Sequence, residues 1–200
     1  MIKNLVFDFG KVLVDYDFAL FFRRHIPDAE RCTRFTPVLY NERVQYMLDK
    51  EDRTFDEILD GMIAENREYE HEINIFRRHY PEIVTGEVEG MRELLARYKS
   101  RGYRLYGLTN WCSQVAHTMR QYDIFKLLDG VVISSQEHEV KPHAEIYRRL
   151  FDRYGLVPEE CVFTDDRVEN IEGAARVGMK GIVFHNAAQY ERELADMLDS

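Results

Sequence analysis

Two periodicities divide this chain. Residues 17–80 carry a helical, charge-rich pattern with no strand-like run, whereas from residue 87 onward short apolar runs alternate with amphipathic helical stretches. In the first of these regions Phe18, Phe21 and Phe22 share one helical face, Val44, Met47 and Leu48 a second, and Ile58, Leu59 and Met62 a third. A helix start is expected after Thr54, whose hydroxyl can cap, with Asp56 and Glu57 in the first turn. In the second region the spacing predicts helices over 91–99, 113–121, 144–154, 170–177 and 187–198, and strands over 103–108, 131–134, 161–164 and 181–184. The N-terminus belongs to the second type. Leu5-Val6-Phe7 is a continuous apolar run, as in a strand buried on both faces, and it stops at Asp8. Gly10 then allows a sharp turn before a second β-branched run at 12–14.

Alternating strand and helix implies a parallel, Rossmann-like α/β sheet with right-handed crossovers and helices on both faces. The helical stretch interrupts the first crossover, directly after the Asp8 strand, which places it over the C-terminal edge of the sheet. The expected organisation is an α/β core formed by residues 1–15 and 87–200, with an α-helical cap over 16–86 that can exclude water from a site beneath it.

Composition narrows the function classes. An apolar content of 45%, with 12 Phe and 12 Tyr, supplies a core for one domain with an insertion. A net charge of −9 argues against a broad nucleic-acid surface, which needs a basic stripe. It leaves room for an anionic substrate, because one lysine and a metal ion make a locally positive pocket in an acidic protein. No run approaches the ~18 apolar residues of a membrane span. Cys32, Cys112 and Cys161 form no CxxC pair. A reduced, cytoplasmic protein is expected, a monomer by default, with no membrane and no nucleic-acid partner.

Four short segments carry candidate chemistry, each at a strand or helix edge. Asp8 ends the first strand, where open α/β sheets bind ligands. Leu105-Tyr106-Gly107-Leu108-Thr109-Asn110 is an apolar strand ending in small polar groups that can bind an anion. Lys141-Pro142 sets one cation before a helix, with proline expected in the first helical turn. Cys161-Val162-Phe163-Thr164-Asp165-Asp166 ends in paired carboxylates, followed by Arg167-Val168-Glu169-Asn170. Taken singly, each has an ordinary structural explanation, such as an aspartate capping a turn. Their order and joint placement do not.

These segments resemble the four motifs of the haloacid dehalogenase superfamily of hydrolases, over roughly residues 1–15 and 87–185. The resemblance is closest to the branch reading Asp-x-Gly-x-Val in its first motif and Asp-Asp-x-x-x-Asn in its last. That branch includes a glucose-1-phosphate phosphatase and resembles the phosphatase half of soluble epoxide hydrolase. It implies Mg²⁺-dependent hydrolysis of a small phosphorylated metabolite, a sugar phosphate foremost, through an aspartyl phosphate on Asp8. Asp8 and Asp166 can supply two hard oxygen ligands to the metal. The Gly10 carbonyl supplies a third by the family's pattern. Thr109, Asn110 and Lys141 would gather the phosphoryl oxygens, and Trp111 and Cys112 line the pocket. Asp165 is expected to hold Lys141 or a metal-bound water, and Asn170 to stand behind the ligands.

The departure is Gly10. Most phosphatases of the superfamily carry a second aspartate there, which protonates the leaving alcohol and then activates water. General acid–base help is typically worth about 10²–10⁴-fold, so a cap residue, a metal-bound water or a good leaving group has to substitute. Asp15 and Asp17, near the junction with the helical stretch, are candidates, as are solvated hinge roles for both. His138 and His143 flank Lys141 and are read mainly as solvated loop residues; His25, His71 and His79 have no helical partner for a metal. Two other functions compete: dehalogenation of a 2-halo acid, which needs no metal, and a catalytically idle binding domain.

Overall fold

The computed structural model describes residues 1–199. Strand β1 (Asn4–Phe7) leads into β2 (Val14–Tyr16). Five helices follow: α1 (Phe18–His25), α2 (Ala29–Leu39), α3 (Glu42–Lys50), α4 (Phe55–Glu65) and α5 (Glu70–His79). After β3 (Val84–Glu87) the chain alternates through α6 (Met91–Ser100), β4 (Arg104–Thr109), α7 (Val115–Gln121), β5 (Gly130–Ile133) and α8 (Ser134–Glu137). It ends with α9 (Ala144–Tyr154), β6 (Cys161–Asp165), α10 (Val168–Arg176), β7 (Lys180–Val183) and α11 (Ala187–Asp199).

β1 lies at the centre of a five-stranded parallel sheet of order β5-β4-β1-β6-β7. All four of its residues are buried, and the three apolar ones alternate between two cores. Leu5 and Phe7 pack with α6 and α11 (Met91, Leu95, Tyr190, Leu194), while Val6 packs on the other face with α9 and α10 (Ile146, Leu150, Ala174). Burial on both faces is why this strand reads as an unbroken apolar run. No helix among the described residues is long and apolar enough to cross a membrane.

The predicted elements differ from the observed ones mainly at their ends. The β-branched run at 12–14 turns into the sheet edge, and the strand is Val14–Tyr16, paired antiparallel with Val84–Glu87. This ribbon joins the helical stretch to the sheet, and among the described residues no strand interrupts α1 to α5. The first four helices start where side chains satisfy free N–H groups of the first turn. Asp17, Asp28 and Asn41 cap α1, α2 and α3, and Thr54 forms a capping box with Glu57 at α4. Asp17 is thereby occupied, and Asp15 pairs with Lys11 at 3.3 Å; neither lines the central cavity. Pro142 is not in the first turn of α9. It lies in the preceding turn, after a cis peptide bond, and His143 occupies the cap position. His25 and His79 do find a partner, through tertiary contact: both meet Glu82, at 3.0 and 2.7 Å.

Candidate active site

Parallel strands bring their C-terminal ends to one edge, and that edge collects the four segments. Asp8 follows β1, Thr109 ends β4, Asp165 ends β6, and Lys141 arrives on the loop before α9. Register fixes their level: Phe7 pairs with Gly107 and with Thr164, and the Asp8 N–H donates to the Thr164 carbonyl at 2.9 Å.

Lys141 is the hub. Its ammonium lies 2.9 Å from Asp8 Oδ1 and 2.6 Å from Asp165 Oδ2, and donates to the Leu108 carbonyl at 3.0 Å. Its side chain is 1% exposed. Burial works against the charge, but Asp165 and Asp8 outweigh it and hold the ammonium protonated well above the usual lysine range. Asn110 places this lysine: its side-chain amide donates to the Lys141 carbonyl at 3.0 Å, and its Oδ1 accepts from the Lys141 N–H at 2.9 Å. Asn110 is thus committed to the lysine loop as well as facing the cavity.

The two adjacent aspartates have opposite surroundings. Asp165 is fully buried, and its oxygens also accept from the Arg167 N–H at 2.9 Å and from Asn170 Nδ2 at 3.0 Å. Of the two expectations for Asp165, holding Lys141 is the one the geometry contains. Asp166 turns outward into the cavity, and no other side chain among the described residues pairs with its carboxylate. The Asp8, Asp165 and Asp166 carboxylates each place an oxygen within 4.8 Å of the others. With Asp165 occupied, Asp8 and Asp166 are the pair left to share a cation. The Gly10 carbonyl beside them accepts no hydrogen bond from a described residue. Crowding marks Asp8: burial above all, then Asp165 and Asp166, push its carboxyl up to about 7 against the pull of Lys141. Burial likewise raises Asp166. A pair of carboxylates held above their usual range has use for positive charge.

Thr109 is fully buried, and its Oγ1 has no hydrogen-bond partner. An unpaired buried hydroxyl costs free energy in the absence of a ligand, which suits a group kept for one. Trp111 presents its ring to the cavity and meets Tyr16 edge-on at 6.2 Å, while its backbone N–H donates to Ser134 Oγ at 2.9 Å. Cys112 is buried, and burial raises its thiol to about 12, so it holds no thiolate.

A cavity of about 1000 Å³ opens above Asp8, Asn110, Trp111, Lys141 and Asp166. Cys112, expected to line the pocket, is packed into the core instead, and Thr109 lies buried behind the lining at the end of β4. The cavity lining also includes residues that sequence reasoning missed: Glu42, Gln45, Tyr46 and Asp49 of α3, with Tyr16 and Tyr80. The signal was present in α3. Val44 and Leu48 make its buried face, and Glu42, Gln45, Tyr46 and Asp49 recur at helical spacing as a second stripe. His143 also lines the cavity, whereas His138 binds the Lys50 carbonyl at 3.2 Å instead.

A strand-end aspartate held by a buried lysine, with a second carboxylate open to the cavity, sits on the C-terminal edge of a parallel α/β sheet. The model of the haloacid dehalogenase-like hydrolases matches residues 2–178, and the chain belongs to that family. It is 24% identical over 213 residues to a D-ribitol-5-phosphate phosphatase of Bacteroides thetaiotaomicron, covering 100% of both chains. It is 27% identical over 113 residues to flavin mononucleotide hydrolase 1 of Arabidopsis thaliana, covering 55% of this chain and 45% of that one. The aligned part spans about half the length of several such curated relatives. Among solved structures, a HAD-like family hydrolase from Porphyromonas gingivalis superposes with a TM-score of 0.76 at 19% identity, covering 100% of this chain and 99% of that one. A HAD family enzyme from Bacteroides thetaiotaomicron, in complex with magnesium and inorganic phosphate, gives 0.71 at 21%, covering 94% and 96%.

Proposed function

We propose that this protein is a magnesium-dependent phosphatase that hydrolyses small phosphate monoesters, sugar and polyol phosphates foremost, through an aspartyl phosphate on Asp8. The observation that carries this reading is the Lys141 clamp: one fully buried ammonium between Asp8 and Asp165, with Asp8 and Asp166 left open toward the cavity. A relative that is a D-ribitol-5-phosphate phosphatase, and a cavity large enough for a sugar phosphate, support the substrate class.

The residues fit a magnesium ion. Asp8, Asp166 and the Gly10 carbonyl offer only hard oxygen, and the open positions suit water and a phosphoryl oxygen. When bound, the ion would neutralise phosphate charge and align the ester with the nucleophile. Asp8 attacks phosphorus in line with the ester oxygen. Lys141 offsets the repulsion between that carboxylate and the phosphoryl oxygens, and Thr109 Oγ1 donates to one of them. Asp165 and Asn110 fix where the ammonium sits. Residues 17–83 act as a cap, setting the α3 wall over the site and reducing its water.

The paired carboxylates disfavour the metal-free dehalogenation reading. A screen of sugar, polyol and aryl phosphates with and without magnesium tests the proposal, alongside Asp8→Asn. Turnover that needs magnesium and is lost in that variant supports it, with beryllium fluoride trapped on Asp8. Activity surviving complete chelation, or surviving Asp8→Asn, overturns it.

A further inference from the structure

The reaction proposed above leaves one task unassigned. A poor leaving alkoxide needs a proton, the water that cleaves the aspartyl phosphate must lose one, and Gly10 can do neither. Nor is there a void at that position, because the Tyr16 ring fills it.

Among the cavity-lining acids, Asp166 is committed by the metal reading, and Glu42 lies exposed at the N-terminal end of α3. Asp49 differs from both. It is half-buried in the last turn of α3, where the helix dipole disfavours a carboxylate. No hydrogen bond or ion pair holds its side chain among the described residues. A carboxylate in that position has no structural reason to be there.

The backbone around Asp49, by contrast, is tied to the core. Ser134 Oγ, after β5, donates to the Asp49 carbonyl, and His138 Nδ1 meets the Lys50 carbonyl at 3.2 Å. Glu51 takes a left-handed conformation, φ 48°, unusual for a residue with a side chain. Its carboxylate is buried and accepts from the Ser113 N–H at 2.6 Å and the Phe55 N–H at 3.2 Å. These bonds join the end of α3 to the loops after β4 and β5, and they present Asp49 to the cavity roofing Asp8.

We propose that Asp49 is the general acid and base of this enzyme, supplied by the helical insertion in place of the acid missing at Gly10. This rests on the reading of Asp8 as nucleophile. In the first step Asp8 forms a bond to phosphorus, the bond from phosphorus to the ester oxygen breaks, and the Asp49 proton passes to that oxygen to give the alcohol. In the second, Asp49 takes a proton from water as the water oxygen bonds to phosphorus. The acyl phosphate bond then breaks, releasing phosphate and the Asp8 carboxylate, with Asp49 protonated again.

The surroundings suit both directions of transfer. Burial pushes the Asp49 carboxyl up to about 7, against the attraction of Lys141 and Arg167 and with the repulsion of Asp8. Tyr16, Tyr80 and Cys112 face it as uncharged groups, since burial holds all three well above their usual ranges. An acid poised near neutrality can both give and take a proton at working pH.

The test compares first turnover and steady state for p-nitrophenyl phosphate, whose leaving group needs no proton, and for a primary alkyl phosphate. In Asp49→Asn the first turnover of the aryl ester should stay within about 3-fold of wild type. It should be followed by a slow steady state, giving a burst of one p-nitrophenol per site. The first turnover of the alkyl ester should fall by about 10²–10⁴-fold. Asp49→Glu should recover part of the alkyl activity, which a merely structural role would not predict. The loss of wild-type alkyl kcat/KM above about pH 7 should disappear in Asp49→Asn. Equal losses on both esters, or no loss on the alkyl ester, overturn the assignment of Asp49 while leaving Asp8 as nucleophile. A wild-type protein that hydrolyses neither ester overturns both.

Discussion

Tyr16 stands where a side chain at residue 10 would begin: a Cβ on Gly10 would lie 2.7 Å from Tyr16 Cε1. Tyr16 is held there by the ribbon pairing of β2 with β3 and by its edge-on contact with Trp111. The family's usual aspartate is therefore excluded by packing as well as absent from the sequence.

It follows that Gly10→Asp alone does not restore an acid. We expect it to lose about 1–3 kcal/mol of stability through overpacking, with no gain on alkyl phosphates. Tyr16→Ala combined with Gly10→Asp should recover part of that loss, a non-additivity visible in urea unfolding. A singly substituted protein as stable as wild type would show that the Tyr16 ring moves aside freely.

Lys141→Met should be costly to the fold itself. It strands Asp165, which is fully buried, and breaking one partner of a buried ion pair typically costs about 3–5 kcal/mol. Thermal and urea unfolding measure this, and activity of the variant is interpretable only below its melting range.

Without metal, stability should fall as pH rises across the neutral region. Asp8 keeps its proton up to about 7 in the folded state, against about 4 in an unfolded chain. The folded state then binds more protons between those values, so this contribution is full below about pH 4 and is lost as pH climbs through about 7. In EDTA, melting temperatures at pH 5 and pH 8 should show the drop, and Asp8→Asn should reduce it. An unchanged slope in the variant would remove Asp8 as its source.

Magnesium should oppose that drop. A ligand that binds only the folded state adds about 2.7 kcal/mol at a concentration 100 times its Kd. The thermal shift with magnesium should be present in wild type and largely absent in Asp166→Asn. A full shift in that variant would place the ion elsewhere.

Thr109→Val separates ligand binding from folding. Replacing an unpaired buried hydroxyl with a methyl group of similar shape should leave stability unchanged or slightly raised. Losing one hydrogen bond to a charged phosphoryl oxygen should lower kcat/KM by about 10–100-fold, from about 1.5–3 kcal/mol. A stability loss above ~1 kcal/mol would mean that the hydroxyl has a structural partner.

The sheet was legible because its determinants are local and periodic. Strands buried on both faces must be apolar throughout, and a carboxylate ending such a run, as Asp8 and Asp165 do, contradicts its surroundings enough to be noticed. The change of period at residue 87 marked the return from the helical stretch to the sheet, and β3 now spans that point. Element ends were less legible, since caps and turns compete over a residue or two. Val14–Tyr16 became a strand because Val84–Glu87 lies beside it, a pairing that neither segment announces.

By itself, then, the sequence determined the α/β class, the parallel order of its elements, and the residue types gathered at the sheet's C-terminal edge. The sequence favoured Asp166 as the metal ligand and left Asp165 with Lys141 or a metal-bound water; only the tertiary structure narrowed this, turning Asp165 inward to Lys141 and Asp166 outward to the cavity. It also decided that Tyr16 fills the space beside Gly10, that His25 and His79 meet on Glu82, and that Asp49 faces the same cavity as Asp8. The reason is physical. Burial pattern and strand period are written along the chain, whereas the direction of a single side chain and the groups that desolvate it come from segments far apart in sequence.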